Sequence, residues 1–441
     1  MVYDAVLKDP DAFDFSISSL SPLKYTSPSI NTGFVDDDDR ISFSSQVENI
    51  LNLIKKSKNY PSFEKAGPRK NLFHDPSCTK AGIITCGGLC PGLNNVIKGL
   101  VNSLEFDYGI KQVLGIRYGY QGLTKESLHK PIELNQKLVE KIHKKGGTIL
   151  GSSRGSQDPC EMVDQLISMG INILFCIGGD GTLKGASAIA KEIKKRNLGI
   201  GIVGIPKTID NDLGFLEKTF GYETAVEVSS QIISSAKNEA EGADNGVGIV
   251  RLMGRDSGFI AASSSLANSI VDFCLVPEVD ISLHGKYGLI QLLLERLNEK
   301  QNAVIVVAEG AGQKLFNHHP SKTDQSGNIL KEDIGVFLKN QITQEFKKMN
   351  QTINIRYLDP SYHIRSVEAN ASDAIFCHQL AAHAVHAAMS GKTDLLIGFW
   401  NNFFTHVPIS LATSQRRTID LDGVLWKGVL SATFQSNTPI K

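Results

Sequence analysis

The chain has 441 residues, 41% hydrophobic and 21% charged, the balance of a globular protein with room for two or three cores. Its 46 Lys and Arg equal its 46 Asp and Glu, so no net field favours nucleic acid or an anionic membrane; local groups must hold any bound anion. Seven scattered cysteines read as reduced thiols and not a disulfide framework, and no apolar run reaches the ~18 residues of a membrane span.

Residues 1–75 read as an N-terminal extension rich in Ser, Asp and Pro. They lack the basic start of a secretion signal. The acidic run Asp36–Asp39 is expected to be a solvated loop, and helical spacing occurs only near 47–56. From Cys78 the texture changes to repeated units: a short apolar run, a Gly-rich turn, an amphipathic helix. One runs through 81–85, 86–92 and 93–104; a second through 171–177, 178–182 and 183–195; a third through 246–253, 254–258 and 259–267. A fourth apolar run, 303–308, ends at Glu309-Gly310. Buried strands alternating with helices indicate parallel sheets covered on both faces. There are too many for one sheet, so two α/β domains are expected, with ligands beyond the carboxyl ends of the strands. Cys86 and Cys90 lack a nearby Cys or His pair to complete a zinc site. His378, His383 and His386 on the apparent helix 371–389 read as packing, and Trp400, Phe403 and Phe404 as core or interface. The ending Pro439-Ile440-Lys441 is no peroxisomal address, which leaves the cytoplasm as the expected location.

Several turns carry chemistry. Gly178-Gly179-Asp180-Gly181-Thr182 follows a strand and opens a helix. Its glycines allow backbone N–H groups to approach phosphate oxygens at the positive end of the helix. A carboxylate there makes sense if Mg²⁺ stands between it and a polyphosphate. The plainer reading is a helix-capping Asp in a strand-to-helix turn, and the same motif occurs in NAD and lipid kinases. Pro206-Lys207-Thr208-Ile209-Asp210-Asn211-Asp212 places two carboxylates two residues apart after an apolar run, suited to taking a proton from an alcohol. A polar surface turn is equally consistent. TCGGLCPGL at 85–93 offers another phosphate cradle, and the arginines of Gly151-Ser152-Ser153-Arg154-Gly155 and Met253-Gly254-Arg255-Asp256-Ser257-Gly258 suit phosphate contact.

Taken together, in this order and spacing, these motifs and Tyr357-Leu358-Asp359-Pro360-Ser361-Tyr362-His363-Ile364-Arg365 resemble the phosphofructokinase family over about four fifths of the chain, from Asn71 to Val429. GGLCPGLN and YLDPSYHIR look like its longer branch, which holds both ATP-using and pyrophosphate-using enzymes. The resemblance implies an α/β fold of two Rossmann-like domains with mostly parallel sheets and the active site in the interdomain cleft. By that pattern 78–221 plus 364–410 form the donor (ATP/Mg) domain, and 222–363 plus 411–441 the fructose 6-phosphate domain. It also implies a 6-phosphofructokinase of glycolysis that binds fructose 6-phosphate and ATP, with Mg²⁺ as cofactor. This would be an allosteric homo-oligomer, a tetramer, with neither nucleic acid nor membrane as partner.

Residue by residue, the resemblance makes Asp210 the base, with Thr208 and Asp212 shaping its loop, and Asp180 the metal ligand. Gly88, Arg154, Gly155, Gly179, Asp180, Gly181, Thr182 and Lys207 would meet the donor. Thr208, Ile209, Asp210, Met253, Gly254, Arg255, Glu309, Arg356, Tyr362, His363, Ile364 and Arg365 would meet the sugar phosphate. The donor is expected to be ATP, because pyrophosphate-using relatives carry Asp where this chain has Gly181; Lys207 points the other way. Arg356 aligns with an arginine that reaches across a subunit interface in the resembling bacterial enzymes, whose second such arginine is replaced here by Gly246. The competing classes are a pyrophosphate-dependent relative, another GGDG-bearing kinase, and a catalytically dead subunit of the same fold.

Overall fold

The computed structural model describes residues 2–28, 33–316, 323 and 330–435, so the end of the C-terminal tail, with Pro439-Ile440-Lys441, lies outside the described residues. The chain forms two compact units: unit 1 is Met1–Gly221 with Ser366–Arg416, and unit 2 is Tyr222–Arg365 with Arg417–Lys441.

Unit 1 is built on a nine-stranded sheet ordered Arg40–Ser42, Ser62–Lys65, Phe403–Pro408, Leu395–Trp400, Gly201–Pro206, Ile173–Gly178, Lys80–Thr85, Gln112–Gly115, Ile132–Leu134. Its centre, from Leu395–Trp400 to Gln112–Gly115, is parallel, and antiparallel strands close both sides. Ile173–Gly178 and Gly201–Pro206 are buried at every position, as strands covered on two faces must be. Helix Leu93–Tyr108 packs against Ala371–Met389. A Cβ on Gly99 would stand 2.7 Å from that of Ala381, which explains the small residues along this pair. From Lys80–Thr85 the chain builds outward in both directions, so the loops after Lys80–Thr85 and Ile173–Gly178 flank the point where strand order reverses.

The N-terminal segment 1–75, expected as a separate extension, is part of unit 1. It adds two strands to the sheet, and helix Val47–Lys56 forms where the spacing predicts one. Aromatic packing attaches it: Phe15, Phe43 and Phe63 surround Phe215, and the Phe43 ring stacks on Trp400 at 5.3 Å. The Trp400 indole N–H donates to the Phe43 carbonyl at 2.8 Å. The acidic run is not wholly a solvated loop. Asp37 pairs with Arg69 at 3.0 Å and Lys392 at 2.9 Å, beside a buried Glu64 that Arg69, Lys392 and His406 all contact. Residues 411–416, expected in the second domain, also belong to unit 1, where Leu213 and Arg416 form a bridge.

Unit 2 carries a wholly parallel four-stranded sheet ordered Phe273–Leu275, Asn302–Ala308, Gly246–Leu252, Asn354–Leu358. Alternate residues Val247, Ile249, Ala303, Ile305 and Val307 pack under helices Leu289–Lys300 and Ile334–Lys348. On the other face Gly248 lets helix Tyr222–Glu241 approach, since a Cβ there would stand 2.9 Å from the Ala236 carbonyl.

Candidate active site

In unit 1 the GGDG turn lies beyond the end of Ile173–Gly178. Gly179 takes extended backbone at the N-cap, and Asp180 opens the helix that runs to Lys195. Gly178 has no room for a side chain because Thr182 would lie 2.2 Å from its Cβ, whereas nothing stands within 4 Å of a Cβ on Gly181. The neighbouring strand delivers the second motif. Lys207 N–H donates to the Gly178 carbonyl at 2.9 Å, locking the two turns side by side. The buried Lys207 ammonium turns inward and donates to the Gly88 carbonyl at 2.7 Å. Burial lowers its pKa, against the pull of Cys90, Cys86 and Asp210.

Beyond Lys207 the loop is held by its own polar groups. Thr208 Oγ1 donates to Asp212 at 2.7 Å, and Thr219 Oγ1 donates to the Thr208 carbonyl at 2.6 Å. Asn211 adopts a left-handed φ of 54° and accepts the Thr219 N–H at 3.0 Å. Half-buried Asp210 is thereby presented from a pinned loop, while Ile209 packs against the unit 1 core. Arg416 joins the two motifs: its guanidinium hydrogen-bonds Asp212 and lies 3.5 Å from Asp180, whose other cation is Lys184 at 3.0 Å.

The third cradle faces the same turns. Thr85 Oγ1 donates to the Gly151 carbonyl at 2.6 Å, Ser152 Oγ to that of Gly87 at 2.6 Å, and Gly87 N–H to that of Ser153 at 3.0 Å. Gly88 is therefore fixed from both sides. Gly155 has a left-handed φ of 98°, and its neighbour Arg154 is exposed with its charge felt by Lys207. Among the described residues no group of three His, Cys, Asp or Glu side chains could hold a metal. Asp180, a lone carboxylate at a helix start beside open space, fits an ion that takes its remaining ligands from substrate phosphates. Cys86 and Cys90 are buried thiols, and burial keeps His383 and His386 neutral, at about 3 and about 4.

In unit 2 the candidate residues lie at the carboxyl ends of three adjacent strands. Met253, Gly254 and Arg255 follow Gly246–Leu252; Glu309 follows Asn302–Ala308; Tyr362 and Arg365 follow Asn354–Leu358. Gly310 N–H donates to the Gly254 carbonyl at 2.9 Å, and a Cβ on Gly310 would lie 1.8 Å from the Arg255 carbonyl, so the first two loops touch. Burial pushes the Glu309 carboxyl up, while Arg251, Arg255 and Arg365 pull it down. Tyr362 is 80% exposed, with the Arg365 guanidinium 4.7 Å from its ring centre, and His363 is exposed beside it. Ile364, between them, is fully buried within this short helix. Arg356 is on the strand itself, its side chain 51% exposed and 3.7 Å from an exposed Glu239. A Cβ at Gly246 would lie 2.0 Å from the Ala240 carbonyl, so this backbone has no room for an arginine there.

Two residues escape the sequence reading. Arg416 is far from both carboxylates in sequence and carries no motif. Arg251 leaves a signal, a charge inside an otherwise apolar strand: it reaches Glu309 at 3.1 Å, hydrogen-bonds Asp359, and lies 4.0 Å from Asp333.

A family model described as phosphofructokinase matches residues 80–388. The chain is 48% identical to an ATP-dependent 6-phosphofructokinase of Borreliella burgdorferi, over 96% of this chain and 97% of that one. It is 42% identical to an ATP-dependent 6-phosphofructokinase of Trypanosoma brucei brucei, over 99% and 91%. Among solved structures it is similar to a pyrophosphate-dependent phosphofructokinase from Marinobacter aquaeolei, with a TM-score of 0.66 at 19% identity, covering 81% of this chain and 92% of that one. At that identity the likeness speaks for the fold alone.

Proposed function

The chain belongs to the phosphofructokinase family, and from that premise we propose that it transfers the terminal phosphoryl group of ATP to fructose 6-phosphate, as an ATP-dependent 6-phosphofructokinase of glycolysis in the cytoplasm. The observation that carries the reading is the joining of the GGDG and TIDND turns on neighbouring parallel strands, with Arg416 spanning Asp180 and Asp212.

Unit 1 takes the donor. Backbone N–H groups of the 85–92 and 178–182 turns, with Arg154 and Gly155, meet its phosphates, and Gly181 leaves space for the bulk of a nucleotide. Lys207 acts indirectly, by fixing the Gly88 carbonyl and so the direction of that loop's N–H groups. Asp180 would hold Mg²⁺, which neutralises charge on the transferring phosphoryl group when bound. Asp210 accepts the 1-hydroxyl proton as the sugar oxygen bonds to the γ-phosphorus and the bond to the β–γ bridging oxygen breaks, releasing ADP. Thr208 and Asp212 keep that carboxylate in register. Unit 2 takes the acceptor: Arg255 and Arg365 suit the 6-phosphate and Glu309 a sugar hydroxyl, with Met253, Gly254 and the exposed Tyr362 and His363 around them. Steady-state rates with fructose 6-phosphate and Mg²⁺ test the donor: kcat/KM with ATP exceeds that with pyrophosphate, and the opposite order overturns the assignment.

The enzyme works as a homo-oligomer, a tetramer, in which Arg356 serves a neighbouring subunit's sugar phosphate. Its exposed guanidinium is held only loosely by Glu239, and a planar fork that stays charged suits a phosphate. Mixing two inactive variants, Asp210→Asn and Arg356→Ala, through dissociation and reassembly tests this. Hybrids that pair an intact Asp210 with an intact Arg356 from different chains regain activity; hybrids of confirmed size that stay inactive contradict the shared site.

A further inference from the structure

We propose that Arg251 is the positioning residue for hexose-phosphate recognition, the cation that sets the three loops of unit 2 against one another. The proposal rests on the reading of unit 2 as the sugar-phosphate half. Arg251 is the penultimate residue of Gly246–Leu252, the strand flanked on both sides by the strands that lead into Glu309 and Asp359. In register it stands beside Val307, two residues before Glu309, and next to Val250, which pairs with Leu358, the residue before Asp359.

From this central place its guanidinium reaches outward to both sides. It donates to Glu309 Oε2 at 3.1 Å and to Asp359 Oδ2, and its Nε lies 4.0 Å from Asp333, whose carboxylate accepts the Tyr357 hydroxyl at 2.9 Å. Arg251, Asp359 and Glu309 thus tie together the loop that carries Arg255, the loop that opens with Glu309 and the helix that carries Tyr362 and Arg365. Two separate guanidinium nitrogens reach the two carboxylates, Nη1 to Asp359 and Nη2 to Glu309, a span that the single ammonium of a lysine does not reproduce. The side chain is 15% exposed and its bond to Glu309 is part-buried, where such a contact is worth most, while the bond to Asp359 lies at the surface.

The charges facing Glu309 are Arg251 on its neighbouring strand, Arg255 in the adjacent loop, and Arg365 and Asp359 from the segment beyond the fourth strand; Asp333 and Tyr357 face Arg251 from behind. Burial favours the neutral Glu309 acid, and Arg251 opposes it. Removing Arg251 therefore does two things: it frees three loops to move, and it lets Glu309 take up a proton at higher pH, where a neutral acid is a poorer acceptor.

The experiment compares wild type with Arg251→Gln, Arg251→Lys and Glu309→Gln in the full-length enzyme, with folding followed by thermal melting. Arg251→Gln raises KM for fructose 6-phosphate about tenfold or more while kcat and KM for ATP stay within about twofold. The acid limb of kcat/KM for fructose 6-phosphate moves to higher pH. Titration of the substrate phosphate, with a pKa of about 6, is common to all variants and cancels in the comparison. Arg251→Lys keeps a charge, so its acid limb stays near wild type while KM still rises severalfold. A wild-type KM in Arg251→Lys, or in folded Arg251→Gln, overturns the proposal, as does a uniform loss in kcat and both KM values. An unchanged KM in Glu309→Gln overturns the underlying reading as well, whereas a raised KM there beside an unchanged Arg251→Gln overturns this proposal alone.

Discussion

The two units present their candidate ligand groups in different ways. Unit 1 offers backbone: glycine turns whose N–H groups are aimed by hydrogen bonds from Lys207, Thr85 and Ser152 to the carbonyls of neighbouring loops. Unit 2 offers side chains, arginines and a glutamate at three strand ends, tied by Arg251. The difference suits the two ligands. A polyphosphate with its metal can be lined by fixed dipoles at a helix start, where no side chain has to be ordered on binding. A sugar phosphate carries hydroxyls that must be told apart, and that requires donors and acceptors of defined direction.

The strongest way to break this contrast is through the proposed base, Asp210. Asp210→Asn keeps the shape of the 208–212 loop and removes its proton acceptor. It lowers kcat by roughly 10²–10⁴-fold, about 3–5 kcal/mol in barrier. A variant that retains more than about a tenth of wild-type kcat, with both substrates and Mg²⁺ saturating, assigns the base elsewhere.

Away from both ligand sets, Glu64 tests whether the N-terminal segment is structure and not appendage. Burial alone would raise its carboxyl, yet His406, Lys392 and Arg69 hold it at about 2. A carboxyl depressed in the folded chain stabilises it above the ordinary glutamate range, and that contribution drains away as pH falls from about 4.5 toward about 2. Glu64→Gln leaves the buried Arg69 and Lys392 with the more exposed Asp37 as their anion and costs about 3 kcal/mol near neutral pH. The loss, read by urea unfolding of wild type and variant, shrinks as pH falls through this window. A loss of equal size at pH 7 and pH 3 contradicts the ionic account.

Gly181→Asp sharpens the contrast most finely. The backbone at Gly181 lies outside the left-handed region and a Cβ there meets nothing within 4 Å, so the fold accepts the change. The added carboxylate fills the open space beside Asp180 in which the proposed nucleotide would lie. The variant melts within about 1 °C of wild type, a shift of about 1 kcal/mol or less, while kcat/KM for ATP falls about tenfold or more. Equal losses of melting temperature and ATP use would mean that Gly181 serves the fold.

What was legible in the sequence follows the same division. The glycine turns of unit 1 announce themselves because a backbone cradle needs glycine at fixed spacing beside a strand, a constraint contained within a short stretch of chain. The central strands Ile173–Gly178 and Gly201–Pro206 are readable for a similar local reason, being uncharged and buried at every position, whereas Asn354–Leu358 carries Asn354 and Arg356 and gives no such run. Arg416 could not be read, since its carboxylate partners, Asp180 and Asp212, lie in the first half of the chain and meet it only through the fold. The aromatic attachment of the N-terminal segment was hidden likewise: Phe15, Phe43 and Phe63 have no helical or strand period, and their partners Phe215 and Trp400 are distant in sequence. The burial of Ile364 between the exposed His363 and the half-buried Arg365 follows from the turn of its own short helix, which the motif alone does not display.

The division of labour between the units is tested most directly by titrating fructose 6-phosphate into Asp210→Asn by calorimetry, alongside wild type. If unit 2 holds the acceptor and unit 1 performs the transfer, the variant binds the sugar phosphate with a Kd within about twofold of wild type although its turnover has collapsed. A Kd weakened tenfold or more would place the sugar's affinity on the Asp210 loop and contradict the account.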